Sequence, residues 1–422
     1  MSPSGPAQIA GIALAAGHRV RVYDCLVDPD TRHLEGMLKE EDPDVVAVSI
    51  PMVTGHIPDE SIGFPKGFDN AHPKIKAVTD ILRRRSNAVI VAGGAGFSYF
   101  PRNWLMYLNL EYGLVGDADV AFPMFLSRCF DEAALRQVPG IIIRSGETYF
   151  VSSPRKKADL NEKALPAYHL FDTEYYNKAN IPWGIITKRL CAHRCRYCSS
   201  HRMGLDPVLC LKSLDRIRTE IQHVKESTGS DALIFCDTCF NRPIAHTRQI
   251  LLDLVRSQAS VRWRAGTFKP LGFSTAFCRL LETSGCTYVG LAMETASPRM
   301  LANLNLGYRM DDIRLTLDRL SETQVDFGVS LLMGAPGETL VSIRETLAVL
   351  DAYPRIKAVW VNVGIFGHRQ GGKSGLGTFQ NTHYISPELR EDDMLDLIDE
   401  LSLRENYLIQ VNKPWADYQP RG

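Results

Sequence analysis

Strand-length apolar runs recur through the second half of the chain about every 25 to 35 residues, with helical stretches between most of them. This rhythm is typical of parallel sheets, because parallel neighbours need a long crossover connection. Six runs predict a partial (β/α)6 barrel over residues 181–370, with the working residues at the carboxyl ends of its strands. The predicted strands are Gly184–Arg189, Ala232–Cys236, Val261–Gly266, Tyr288–Met293, Asp326–Met333 and Val359–Phe366.

Residues 1–149 show the same alternation and predict a doubly wound α/β domain. Residues 150–180 read as a linker, and residues 371–422 as a helical extension. A helix precedes the first predicted strand, so the strand that normally forms the middle of such a sheet is expected to be missing or to lie upstream of Met1. The predicted strands are His18–Asp24, Asp44–Pro51 and Asn87–Ser98, and the predicted helices are Ala7–Ala16, Leu34–Glu40, Ile75–Arg85 and Ser386–Leu403.

Composition excludes several classes of protein. Lys+Arg and Asp+Glu both number 48 among 422 residues, which argues against a nucleic acid or an anionic membrane as partner. No apolar run reaches the ~18 residues of a membrane span and no signal-like segment opens the chain, so we expect a cytoplasmic protein. Ten cysteines are too sparse for a disulfide scaffold, and three of them within eight residues point to metal or redox chemistry.

Those three cysteines are Cys191, Cys195 and Cys198, directly after the first predicted barrel strand. Thiolates at this spacing can converge from one loop on an iron–sulfur cluster and leave one iron without a protein ligand. The alternative is a zinc site, which needs further ligands. Cys236 and Cys239 could supply them, although Cys236 ends a hydrophobic strand, where a cysteine commonly serves packing.

The CxxxCxxC loop, with Tyr197 before its third cysteine, resembles the signature of the radical SAM enzymes. The resemblance implies that the three cysteines hold a [4Fe-4S] cluster and that the open iron chelates S-adenosylmethionine (SAM). Reduction then cleaves SAM to a 5′-deoxyadenosyl radical. It also implies that Tyr197 packs by the cluster and the adenine.

Further segments are similar to cofactor-binding elements of that superfamily. The resemblance places Asp237 and Thr238 near the methionine moiety of SAM and Glu294 at its ribose. It also assigns the strand and turn from Ser330 to Glu338, including Gly334, to the adenine. Gly364 is counted among the cofactor-binding positions, and it opens a glycine-rich segment, residues 364–372, where the superfamily has a different turn.

The N-terminal unit resembles the cobalamin-binding-like domain of a large radical SAM branch, through the segments GHRVRVYD, PDVVAVSIPM, VIVAGGAGFS and VGDAD. Cobalamin itself is left open, because the first strand is missing and a bulky, charged loop follows the second visible strand. His56 and His72 are conceivable cobalt ligands, but histidines in a polar loop are more often surface residues.

Three functions follow. The first is hydrogen abstraction from a small polar substrate leading to dehydration, as in the radical SAM diol dehydratases of aminoglycoside biosynthesis; the second is cobalamin-dependent methyl transfer; the third is a zinc-binding interaction protein. We take the first as the main hypothesis. It implies a flavodoxin- or ferredoxin-type electron donor and a downstream NAD(P)H reductase. Candidate catalytic residues are His201, Lys188, His368 and Arg369, and other candidate substrate contacts are Arg202, Asp237, Lys269 and Asn362.

Overall fold

The structure, a computed structural model, describes residues 2–28, 30–51, 71–99, 101–153, 159–191, 193, 195–198, 209–366 and 383–411. Two α/β units follow one another along the chain, each built around its own sheet. The predicted fold class and the order of the two units are confirmed.

The first unit contains a five-stranded sheet. Its elements are α1 (Ser4–Ala15), α2 (Leu34–Glu41), β1 (Val45–Ser49), α3 (Ala71–Arg85), β2 (Val89–Gly93), α4 (Ala95–Tyr99), α5 (Pro101–Leu108), β3 (Tyr112–Leu114), α6 (Ala118–Leu126), α7 (Glu132–Leu135), β4 (Ile141–Ser145) and β5 (Thr148–Val151). The strand order is β1-β2-β3-β4-β5, with the first three strands parallel and β4 and β5 added as an antiparallel hairpin. Strand β5 crosses the predicted boundary at residue 149.

The predicted strand His18–Asp24 is wrong, since the structure has no strand there. A strand exists through hydrogen bonds to a neighbour. Within the described part of the chain β1 pairs only with β2, so no strand connects this segment to the sheet. Its apolar side chains still pack inward, with Val20 against the core of the first unit and Val22 against that of the second, which accounts for the strand-like pattern.

The second unit contains a seven-stranded parallel sheet in the order β16-β13-β12-β11-β10-β9-β6. After a 3-10 turn at Tyr168–Leu170, its elements are α8 (Thr173–Lys178), β6 (Trp183–Ile185), β7 (Lys188–Arg189), β8 (Cys210–Leu211), α9 (Leu214–Thr228), β9 (Ala232–Phe235), α10 (Ile244–Arg256), β10 (Arg262–Phe268), α11 (Thr275–Thr283), β11 (Cys286–Glu294), α12 (Pro298–Asn303), α13 (Met310–Ser321), β12 (Asp326–Met333), α14 (Leu340–Asp351), β13 (Ile356–Val363), β14 (Ile365–Phe366), β15 (His383–Tyr384), α15 (Glu391–Ser402) and β16 (Tyr407–Val411). The pairs β7–β8 and β14–β15 are short antiparallel ladders beside the main sheet.

Strand β16 corrects the prediction of six barrel strands and a purely helical extension. It runs parallel to β13 and adds a seventh strand, with Val359 opposite Tyr407 and Val363 opposite Val411. The preceding helix, α15, buries Met394 and Leu401 completely against the barrel core. The C-terminal segment therefore contributes one more βα-type repeat to the barrel instead of standing outside it.

The two faces of the main sheet differ in exposure. On central strand β10, Trp263 and Ala265 are fully buried under the helices, whereas Arg264 and Gly266 are exposed. Strand side chains alternate between faces, so Arg264 and Gly266 lie on the face that the helices leave uncovered. We call this side of the main sheet the concave face.

The N-terminal helix closes the free edge of this sheet. Strand β6 is the edge strand, and its Gly184 N–H donates to the hydroxyls of Ser2 and Ser4 at 2.9 and 3.1 Å. The Tyr168 hydroxyl donates to the Gly184 carbonyl at 3.2 Å. Side chains thus satisfy both backbone groups of Gly184 and join the two units. Among the described helices, none combines the length and apolar content needed to cross a bilayer.

Glycines at equivalent positions of the barrel sheet allow a stability test. A Cβ on Gly328 would come 2.1 Å from the Tyr288 hydroxyl and 2.7 Å from the Ala358 carbonyl, whereas a Cβ on Gly266 would meet no described atom within 4 Å. We expect Gly328→Ala to lower the free energy of unfolding by about 1–3 kcal/mol, the usual cost of overpacking. Gly266→Ala should change it by less than about 1 kcal/mol. Denaturant unfolding of both variants checks this, and equal losses would contradict it.

Candidate cofactor site of the barrel

A buried carboxylate holds the start of the cysteine loop. Asp237, just after β9, accepts hydrogen bonds from the Thr187 amide (2.8 Å), the Thr187 hydroxyl (2.6 Å) and the Lys188 amide (3.1 Å). The Lys188 ammonium lies 3.2 Å from the same carboxylate and donates to the Phe240 carbonyl at 2.8 Å. Both charged side chains are fully buried. This network therefore fixes the chain between β6 and β7.

These contacts show the surroundings of two predicted site residues. Lys188, a candidate catalytic residue, is enclosed in the protein, and its ammonium has Asp237, Thr187 and Phe240 as partners. The Asp237 carboxylate is part of the same network, and its place near the methionine moiety of SAM stays a prediction. Exposed Thr238, next along the chain, stays the predicted contact in this segment.

The cysteine loop begins at a strained residue and returns to the barrel core. Leu190 has a φ of 70°, in the left-handed region that non-glycine residues rarely adopt. Cys195 is buried, and Cys191 and Cys198 are half-buried. Burial raises the pKa of the Cys195 thiol to about 11, opposed by nearby Lys269 and reinforced by Glu294, Cys198 and Cys191. The three thiols are therefore electrostatic neighbours.

The chemistry of the donors fits an iron–sulfur cluster. Three soft sulfur ligands lie on one loop, two of them reach the surface, and the Lys269 ammonium can offset their negative charge. In the described part of the chain, no three His, Cys, Asp or Glu side chains form a preassembled metal cage.

The second cysteine pair does not act as a unit, which argues against the zinc alternative. A hydrogen bond with Cys191 and burial both raise the pKa of the Cys239 thiol, so Cys239 lies beside the loop. Cys236 is exposed and lies near Gly184, where an added Cβ would be 3.0 Å from its sulfur. The two sulfurs point to different surroundings.

A buried ion pair lies next to the cysteines. The Lys269 ammonium is 3.2 Å from Oε1 of Glu294 and donates to the Ala292 carbonyl at 3.0 Å. The hydroxyl of Tyr197 also hydrogen-bonds Glu294. Burial alone would lower the pKa of Lys269, but Glu294 and Cys195 raise it above its usual value. The structure thus brings together Tyr197 and Glu294, which the sequence nominated separately, and adds Lys269 as their charged partner.

Glu294 has the backbone strain typical of functional positions. It ends β11 with a φ of 64°, next to a register shift between β11 and β12. A non-glycine residue in the left-handed region costs of order 1–3 kcal/mol and persists only where its surroundings enforce it. Here the strain aims the carboxylate at Lys269 and the cysteine loop.

The predicted adenine-flanking residues gather at the carboxyl ends of β12 and β13. Gly334 and Gly364 have φ values of 96° and 88°, and a Cβ on Gly334 would lie 3.3 Å from the Gly364 amide. Ser330 is half-buried on β12, with its hydroxyl 3.5 Å from the Asn362 amide nitrogen. Predicted residues His56, His201, Arg202, His368 and Arg369 lie outside the described residues, and no side-chain position is described for His72.

An ion-pair cluster between the units is a feature that the sequence analysis missed. Arg189, two residues before Cys191, lies 3.0 Å from Asp119 and 3.3 Å from Asp117, at the carboxyl end of β3. Lys163 of the linker also binds Asp119. Burial and the hydrogen-bonded Asp117 carboxylate raise the pKa of Asp119 to about 6, although Arg189 and Lys163 oppose this. The only sequence signal was the pair of acidic residues in VGDAD.

Comparisons with known proteins identify both units. Residues 185–350 match the radical SAM superfamily, and residues 1–126 match the B12-binding domain. The chain is therefore a B12-binding domain followed by a radical SAM domain. The radical SAM match agrees with the expectation that the barrel uses SAM.

Individual relatives are distant in sequence. A Pyrococcus horikoshii protein described as an uncharacterised methyltransferase is 22% identical over 353 residues, covering 82% of this chain and 72% of its own. The tryptophan 2-C-methyltransferase of Streptomyces laurentii is 24% identical, covering 64% and 55%. The cytidylyl-2-hydroxyethylphosphonate methyltransferase of Streptomyces wedmorensis is 23% identical, covering 72% and 63%.

Solved structures share the two-domain fold. The radical SAM methyltransferase TsrM from Kitasatospora setae superposes with a TM-score of 0.73 at 20% identity, over 87% of this chain and 71% of that one. The cobalamin-dependent radical SAM enzyme OxsB superposes with a TM-score of 0.64 at 14% identity, over 82% and 49%. None of these relatives is named as a dehydratase, so the comparisons favour the methyltransferase alternative over our main hypothesis.

The turn after β12 predicts a pH effect on stability. Glu338 is buried and accepts from the Gly334 and Ala335 amides at 2.5 and 3.0 Å, yet burial raises its pKa to about 7. The raised pKa means that the folded state binds the carboxyl proton of Glu338 more tightly than the unfolded state does. The contribution of Glu338 to stability therefore falls as pH rises from about 4.5 to about 7. We expect the unfolding free energy of the wild type to fall by up to about 3 kcal/mol relative to Glu338→Gln across that window.

Urea unfolding at several pH values checks this prediction. The control is Glu147→Gln, at an exposed glutamate in the β4–β5 turn, which should give a constant difference from the wild type. A pH-independent difference for Glu338→Gln, or one that grows as pH rises, would contradict the assignment.

Proposed function

We propose that this chain is a cobalamin-dependent radical SAM methyltransferase acting on a small molecule. The observation that carries the proposal is the Arg189–Asp119 contact. Both domain types bind their ligands at the carboxyl ends of their strands. Arg189 follows β6 of the barrel and Asp119 follows β3 of the B12-binding domain, so their ion pair makes the two binding edges face each other.

Each group of residues has a distinct task on this proposal. Cys191, Cys195 and Cys198 hold the cluster, and the Lys269–Glu294 pair with Tyr197 orients SAM beside it. When bound, the cluster and SAM supply one-electron chemistry and the methyl group, and cobalamin supplies a methyl carrier. The chain positions these groups and keeps the buried charges around them paired.

The relatives support methyl transfer more than dehydration. Two of them are named for methylating tryptophan and a cytidylyl phosphonate. We propose a flavodoxin- or ferredoxin-type protein as electron donor. The NAD(P)H reductase belonged to the deoxygenation hypothesis, and methyl transfer does not call for it.

Isotope-labelled SAM tests the reaction. The full chain is reconstituted anaerobically with cluster and hydroxocobalamin, then incubated with reductant, methyl-labelled SAM and tryptophan, the cytidylyl phosphonate or paromamine. We expect one labelled methyl group in a product, S-adenosylhomocysteine beside it, and corrinoid retained after desalting. Loss of water with 5′-deoxyadenosine and no label in the product would instead establish dehydration.

A variant pair connects this assay to the site. Glu294→Gln removes the charge that Lys269 pairs with, and a charge-assisted hydrogen bond contributes about 1.5–3 kcal/mol. We therefore expect SAM affinity to fall roughly ten- to hundredfold. Glu147→Gln is the matched control and should bind SAM as the wild type does. Unchanged affinity in Glu294→Gln would remove Glu294 from the site.

A further inference from the structure

The concave face of the barrel borders open space at the middle of β10. Gly266 is exposed, and a Cβ built on it would meet no atom of the described residues within 4 Å. The opposite face of the same strand is closed, since Trp263 and Ala265 are completely buried. Among the described residues, the centre of β10 is therefore open on the concave face and closed on the other.

Arg264 brings an uncompensated positive charge to that space. It is exposed and forms no hydrogen bond or ion pair with any residue in the described ranges. Arg262, two positions earlier on the same strand, binds Asp231 through two nitrogens at 2.9 and 3.2 Å. A guanidinium without a counter-charge is suited to two-point recognition of a carboxylate or phosphoryl group.

Tyr288 adds a second donor at the same level, with its hydroxyl turned toward β12, where a Cβ added to Gly328 would be 2.1 Å away. It lies opposite Arg264 in the pairing of β10 with β11. Its hydroxyl oxygen is buried without a hydrogen-bond partner in the described structure. Leaving such a group unpaired costs about 1–3 kcal/mol. The neighbouring carboxylate, Asp326, is 3.8 Å from Lys357, so it already has a cationic partner.

An aromatic wall lies beside these donors. The ring of Trp360 meets that of Tyr288 edge to face, with centroids 6.1 Å apart at 83°. Arg264 is five residues before Lys269, and a strand rises about 3.3 Å per residue, so roughly 15 Å separates the two levels. That depth leaves room for a substrate between the concave face and a cofactor held at Glu294.

We propose that Arg264 and Tyr288 form a subsite for an anionic group, carboxylate or phosphoryl, at the end of the substrate remote from the reacting atom. The proposal rests on the proposed function, since it assumes that the concave face receives the substrate. An anionic substrate takes the place of the polycationic aminoglycoside of the sequence-based hypothesis, because a polycation would place like charge against Arg264.

Matched probes test the subsite in the reconstituted holoenzyme. Indole-3-acetate and its neutral amide, indole-3-acetamide, have nearly the same size and shape but differ in the charge of the terminal group. Inorganic phosphate and methylphosphonate serve as phosphoryl probes. By calorimetry we expect the acid to bind at least tenfold more tightly than the amide. Arg264→Gln should abolish this preference and Arg264→Lys should keep part of it, whereas Arg262→Gln should leave it unchanged.

Tyr288→Phe separates recognition from folding. Removing an unpaired hydroxyl should weaken binding of the acid severalfold without lowering the unfolding free energy. Equal binding of acid and amide, an unchanged preference in Arg264→Gln, or no binding of any anionic probe would overturn the subsite. Because the readout is binding, failure of methyl transfer with a retained preference would overturn the proposed function alone.

Discussion

The candidate cofactor site depends on the network of hydrogen bonds and the ion pair that the buried Asp237 carboxylate forms. Asp237 lies just after β9 and accepts from two amides, one hydroxyl and one ammonium of Thr187 and Lys188, next to the edge strand β6. A buried charge is tolerated only when it is paired and fully hydrogen-bonded, and removing one partner of such a pair typically costs about 3–5 kcal/mol. The chain leaves this network with a strained turn at Leu190 and enters the cysteine loop one residue later. The network therefore determines where the three thiols begin.

The same loop depends on the first unit. Arg189, between the Asp237 network and Cys191, is paired with Asp119 and Asp117, so a loop of the B12-binding domain positions the cysteine loop from the other side. The hydroxyls of Ser2 and Ser4 complete the hydrogen bonds of the exposed strand edge at Gly184. The Arg189 ion pairs join the segments that follow β6 and β3, the contact from which we propose methyl transfer between the ligands of the two units.

Sequence patterns predicted what is local. The strand rhythm gave both units, and the cysteine spacing and the glycine turns gave the candidate cofactor site. Side-chain partners were not predictable, because Asp237 is 50 residues from Thr187 and Glu294 is 25 residues from Lys269. The strand predicted at His18–Asp24 is absent because alternation reports which side chains face inward and not hydrogen bonding. That segment is partly exposed and has no partner strand in the described part of the chain. Strand β16 was missed because a short apolar run after a helix carries little signal without the sheet edge that it joins.

The central claim is that the loop from Cys191 to Cys198 binds an iron–sulfur cluster through three cysteines, beside Glu294. The most direct test is the metal content of the protein after anaerobic reconstitution. We expect about four irons and four sulfides per chain and a change in the electron paramagnetic resonance spectrum of the reduced protein when SAM is added. Cys195→Ala should lose the iron, whereas Cys129→Ala, at a buried cysteine of the first unit, should keep it. Zinc in place of iron, or full iron content in Cys195→Ala, would contradict the account.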